Sequence, residues 1–131
     1  MIVVDTNVLA YLYLPGKYSA AAEQLLLRDG EWALPRLWRS EFSNVLATYM
    51  RNKLLALDDA TAIWSRARAL VADREYDVVS IDVLRLAHGS GCSAYDCEFV
   101  VLAEYLDVKF VSADAKLCKA FGRRAEVLAS T

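Results

Sequence analysis

The chain has 131 residues, 56% of them hydrophobic, and 15 Lys plus Arg against 17 Asp plus Glu give a net charge of −2. That length bounds it to one domain, residues 1–131, with room for a real core. The acidic balance argues against holding nucleic acid by bulk basicity, and no apolar run approaches the ~20 residues of a membrane span, so the apolar surplus points to a partner surface. Ile2 to Val4 is a β-branched run, as expected of a strand buried on both faces. Asp5 and Asn7 interrupt the apolar N-terminus, which lacks the basic start and cleavage site of a signal peptide, so a cytoplasmic protein is expected. "DTNVLAYLYL" supplies helix-start residues followed by apolar positions, and "PGK" at Pro15 to Lys17 stops it. A second helix opens near Ser19 and closes at Gly30, and Trp32 to Leu34 is a brief second strand before Pro35.

From Leu37 to about Arg51 the pattern is helical, with Leu37, Trp38, Phe42, Val45, Leu46, Tyr49 and Met50 on one broad face. Another helix runs from the acidic start at Asp58 through Ala72. Tyr76 to Val79 is a third strand. "IDVLRLAHGSG" is a short helix closed by Gly89 and Gly91, and "SAYDCEFVVLAEYLD" is apolar almost all round. Val108 to Val111 is a fourth strand, "ADAKLCKAFG" a helix, and Ala125 to Leu128 a last strand. Short apolar strands alternating with helices predict an α/β fold, a parallel sheet with helices on both faces. Cys92, Cys97 and Cys118 are odd in number and form no C-x-x-C, and His88 is the sole histidine, so free buried thiols are expected rather than disulfides or a zinc site.

Four acids fall where chemistry could sit. Ligands of open parallel sheets bind beyond the carboxyl ends of the strands, and Asp5 follows the first strand while Asp114 follows the fourth. Each has a structural alternative: Asp5 and Asp114 can cap the helices they precede, and Ser93 with Asp96 is spaced like a capping box. Glu41 is different. Leu37, Trp38 and Val45 lie four before, three before and four after it, which aligns its carboxylate with the apolar stripe. A buried carboxylate is costly without a partner, either an arginine or a metal. Clustered Asp and Glu without His or Cys suit Mg²⁺ or Mn²⁺, whose chemistry fits phosphodiester hydrolysis. Setting those four acids aside leaves 13 against 15 Lys plus Arg, so the remainder is basic by two, with Arg36, Arg39, Lys116, Lys119, Arg123 and Arg124 available for phosphates or as plain solvated surface. Glu98, two residues from Asp96, points elsewhere on its helix, and Asp82 is explained by a helix's first turn.

Taken in order, "VVDTNVL", "RSEFSNVL", "SAYDCEFVVLAEYL" and "KFVSADAKL" resemble the PIN-domain ribonucleases, most closely the VapC-type toxins of bacterial toxin–antitoxin pairs. The resemblance covers nearly the whole chain. It implies a PIN-like three-layer α/β/α fold with a short central parallel sheet. It also implies a site of Asp5, Glu41, Asp96 and Asp114 holding one or two Mg²⁺ or Mn²⁺ ions for cleavage of RNA. Asn7 and Ser112 would support the acids, Ser112 standing where the family often has Thr. A homodimer and a cognate antitoxin are implied as partners. A haloacid-dehalogenase site would want an acid where Asn7 stands, and a receiver domain a Lys at a strand's end, whereas Lys109 is at a strand's start. A PIN-like module that binds RNA or protein without cutting it is the remaining alternative.

Overall fold

The computed structural model describes residues 1–130. Five strands, β1 Ile2–Val4, β2 Trp32–Pro35, β3 Glu75–Tyr76, β4 Phe110–Ser112 and β5 Ala125–Val127, form one all-parallel sheet in the order β3-β2-β1-β4-β5. Parallel neighbours need crossover connections. Helices α1 Thr6–Tyr11 and α2 Ser19–Arg28 join β1 to β2, and α3 Trp38–Arg51 and α4 Leu57–Leu70 join β2 to β3. Helices α5 Ser80–Ser90 and α6 Ala94–Leu106 then return past β1 to β4, and α7 Ala115–Phe121 leads to β5. Because the third crossover reverses direction, right-handed connections put α5 to α7 on the face opposite α1 to α4. The result is the three-layer arrangement the resemblance implied.

The central strand is buried from Ile2 to Val4, pairing Ile2 with Trp32 on one side and Val4 with Val111 on the other. Helix α6 packs across β1, β2 and β4, which explains its nearly uniform apolar character: Cys97, Phe99, Val100, Val101, Leu102 and Ala103 are all buried. Trp32, Trp38, Phe42, Phe99 and Phe110 are the largest fully buried side chains, each worth roughly 1.5–3 kcal/mol in burial. Cys97 and Cys118 are buried free thiols and Cys92 is half-buried.

Strand ends differ from the sequence expectation for local reasons. β3 stops at Tyr76 rather than Val79, because the Arg36 amide makes the last bond to the Tyr76 carbonyl before the chain turns into α3. β4 begins at Phe110 rather than Val108, because Val108 closes α6, donating to Ala103 while Asp107 adopts φ 51°. β5 ends at Val127, with the Leu128 amide adding one more bond to the Ser112 carbonyl.

Candidate active site

The strand order reverses between β1 and β4, the place where a doubly wound sheet opens a crevice at its carboxyl edge. Asp5 is the first residue beyond β1, and its amide donates to Val111 of β4 at 2.9 Å. Its side chain does two things at once. Oδ1 caps α1 by accepting the Asn7 amide at 3.4 Å, and Oδ2 accepts the Ser112 hydroxyl at 2.9 Å. Ser112 Oγ in turn accepts the Asp114 amide at 3.1 Å, so one hydroxyl ties together the residues that follow β1 and β4. Asp114 caps α7 through Oδ1 and the Leu117 amide, 3.0 Å. Cap and cleft wall are thus compatible roles for both acids.

In α6 the cap is Ser93, whose hydroxyl accepts the Asp96 amide at 3.1 Å, so the cap does not draw on the Asp96 carboxylate. Glu41, in the first turn of α3, is half-buried, and its Oε1 accepts the Thr6 hydroxyl at 2.7 Å. The partner that Glu41 finds within the chain is this hydroxyl, where the sequence leads one to expect an arginine or a metal. The burial of Thr6, though not its partner, follows from local spacing: Leu9 and Ala10, three and four residues after it, are buried, so Thr6 shares the apolar face of α1. Thr6 and Ser112 are the two buried polar residues among the described ones, 3% and 1% exposed, and each donates to an acid of this site.

Asp5, Glu41, Asp96 and Asp114 line one cleft of ≈ 330 Å³, together with Asn7, Ser112, Ala113, Tyr11 and Tyr18. Burial pushes the Asp5 carboxyl above the usual carboxylate range, and the charges of Asp96 and Asp114 add to the rise against the hydrogen bonds of Ser112 and Asn7. Burial raises Glu41 as well, with Asp5, Asp96 and Glu98 contributing and the Thr6 bond opposing. Glu98 faces an adjoining cleft with Arg36 and Tyr76, yet its charge reaches Glu41. Among the described residues, no three His, Cys, Asp or Glu side chains are drawn into a preformed metal cage. The donor set is nonetheless all oxygen, and burial makes the charge of two of its members, Asp5 and Glu41, costly. Both properties fit a hard divalent cation that keeps several of its waters.

The basic residues divide. Arg39 is engaged by Glu75 through Nε at 2.6 Å and Nη2 at 2.7 Å, and Arg124 braces the end of α6 through the Val108 carbonyl and Asp107. Arg36 pairs with Asp77, both exposed, and Lys116, Lys119 and Arg123 face solvent.

An all-parallel α/β sheet with a cleft of four acids at its switch point defines the class of protein. The chain belongs to the PIN domain family, whose profile matches residues 2–122. It is 32% identical over 124 residues to Ribonuclease VapC3 of Pyrobaculum aerophilum, covering 92% of this chain and 94% of that protein. The structure of PAE2754 from the same organism superimposes with a TM-score of 0.76 at 20% identity, covering 96% of this chain and 83% of that one. A chain of a toxin–antitoxin complex from Klebsiella pneumoniae gives 0.73 at 13% identity, with full coverage of both. At those identities the two structures speak for the fold. Among the described residues no helix is long and apolar enough to cross a membrane.

Proposed function

We propose that this chain is a VapC-type ribonuclease, the toxin of a type II toxin–antitoxin pair, which hydrolyses RNA phosphodiester bonds with Mg²⁺ or Mn²⁺. The observation that carries the reading is the acid cleft itself: the buried hydroxyl residues among the described ones, Thr6 and Ser112, both orient its carboxylates. A core has no use for that arrangement, whereas ligand carboxylates are commonly held by such outer hydrogen bonds. The identity to Ribonuclease VapC3 over nearly the full length supports the activity.

Asp5, Glu41, Asp96 and Asp114 would hold the cation, with Asn7 and Ser112 steadying Asp5. When bound, such an ion lowers the pKa of a coordinated water and offsets charge on the phosphodiester. The protein fixes the acids at the starts of four separate helices, α1, α3, α6 and α7, so their positions do not depend on the cation. The partners are an RNA substrate, a cognate antitoxin that covers the site, and a second copy of the chain in a homodimer, all in the cytoplasm.

Cleavage of single-stranded RNA by purified protein tests this. Cutting is expected with Mg²⁺ or Mn²⁺ and not with EDTA. Asp5→Asn and Asp96→Asn should each lower the rate by about 10²-fold or more, since metal-assisted charge stabilisation is worth several kcal/mol. Metal-independent cutting, or variants as active as the parent, would overturn the nuclease reading and favour a binding module.

A further inference from the structure

One wall of the acid cleft is aromatic. Tyr11, the last residue of α1, and Tyr18, just before α2, both line it, with ring centroids 4.9 Å apart and planes inclined by 22°. Both are half-buried, so neither is sealed in the core. The turn between them is held in place: Ser19 Oγ accepts the Gly16 amide at 3.0 Å and donates to the Leu14 carbonyl at 3.3 Å, while Leu14 is buried. The exposed Lys17 stands with Nζ 5.2 Å from the centre of the Tyr18 ring.

The cleft floor poses a problem for a nucleic-acid ligand. Four carboxylates repel phosphates, and a cation offsets only part of that charge. Affinity must therefore come in part from contacts indifferent to charge, and stacking of a base on an aromatic ring is such a contact. The cleft lies at the small end of the range for ligand pockets, which suits an unstacked nucleotide.

We infer that Tyr18, backed by Tyr11, is a stacking platform for an unpaired base beside the scissile phosphodiester, with Lys17 free to swing from the ring to an adjoining phosphate. The subsite rests on the reading that RNA is the substrate. It makes single-stranded RNA the preferred form and assigns Tyr18 to binding rather than to bond cleavage.

The test compares the parent with Tyr18→Leu, Tyr18→Phe, Tyr18→Trp and Lys17→Gln, measuring kcat and KM on a single-stranded oligoribonucleotide and Kd for an uncleavable methylenephosphonate analogue, in which carbon replaces the leaving oxygen. Tyr18→Leu should raise KM and Kd roughly tenfold with kcat within about twofold. Tyr18→Phe should match the parent and Tyr18→Trp should bind at least as tightly, a comparison that holds even if the leucine variant folds poorly. Lys17→Gln should flatten the dependence of log Kd on log salt by about 0.7. Unchanged KM and Kd in Tyr18→Leu and Tyr18→Trp, or a loss confined to kcat, would overturn the subsite. So would an effect confined to binding of the antitoxin, which would assign the tyrosines to a protein partner. A parent that neither cuts nor binds RNA would remove the substrate reading and the subsite with it; a cutting parent with indifferent variants removes the subsite alone.

Discussion

At the scale of single residues, the site is built by setting ionisable groups where they are poorly solvated. Glu41 is the clearest case, because burial and the charges of Asp5, Asp96 and Glu98 all raise its pKa above the ordinary 4.5. A carboxyl with a raised folded-state pKa stabilises the fold fully below its unfolded value, and that contribution is lost as pH rises through the raised value. Glutamine keeps the Thr6 bond and does not titrate. Glu41→Gln should therefore match the parent below about pH 4 and become progressively more stable than it toward neutral pH in EDTA, while losing activity. Thermal unfolding across pH, with and without Mn²⁺, reads this, and Mn²⁺ should stabilise the parent more than the variant. Parallel pH profiles for the two proteins would mean that Glu41 is not strained by its surroundings. Glu41 was legible in the sequence because its misfit on an apolar stripe is a local property. Its bond to Thr6 was not, because the two residues lie 35 positions apart and meet only when α1 and α3 pack.

At the scale of elements, the question is how a two-residue edge strand is held. β3 begins with Glu75, whose side chain is 7% exposed and accepts Arg39 through both carboxylate oxygens, the Trp38 indole at 2.7 Å, and a looser ion pair from Arg68 at 3.6 Å. The cluster ties β3 to α3 and α4, beside the stacked Trp38 and Trp64 rings. The arginine and indole donors hold the Glu75 carboxyl down at about 2. A depressed carboxyl contributes stability above its unfolded pKa and loses it as pH falls through the folded value. Glu75→Gln should cost about 2 kcal/mol at neutral pH, less than for a fully buried pair because Arg39 is 35% exposed. Denaturant unfolding should show that difference shrinking between about pH 4.5 and 2. A constant difference over that window would assign the loss to packing instead. Arg39 shows where sequence reading stops: beside Glu41 it looks like a phosphate ligand, and only the pairing of β2 with β3 brings Glu75 to it. β1 was legible because its β-branched run is local, whereas β3, expected over Tyr76 to Val79 and found at Glu75–Tyr76, and the start of β4 at Phe110 depend on where a neighbour turns away.

At the scale of the whole molecule, a net charge of −2 divides into four cleft acids and a remainder that is basic by two. The exposed Lys116, Lys119 and Arg123 follow Asp114 along α7 and the turn after it, whereas the acids share the crevice between β1 and β4. A polyanion is thus drawn to one part of the surface and repelled from the crevice, and the divalent cation decides which effect wins at the site. Screening by monovalent salt weakens the exposed attraction but cannot replace a cation seated among the cleft carboxylates. An uncleavable single-stranded RNA analogue should bind about tenfold more weakly in EDTA than with Mg²⁺ at matched ionic strength, as fits the loss of one or two charge-assisted contacts. The double variant Asp5→Asn/Glu41→Gln should bind in EDTA more tightly than the parent, and should gain little from Mg²⁺. Fluorescence anisotropy titrations of the two proteins, each with and without the cation, provide the four affinities. Equal affinities for the parent under both conditions would show that RNA is held by the basic surface alone and does not enter the crevice.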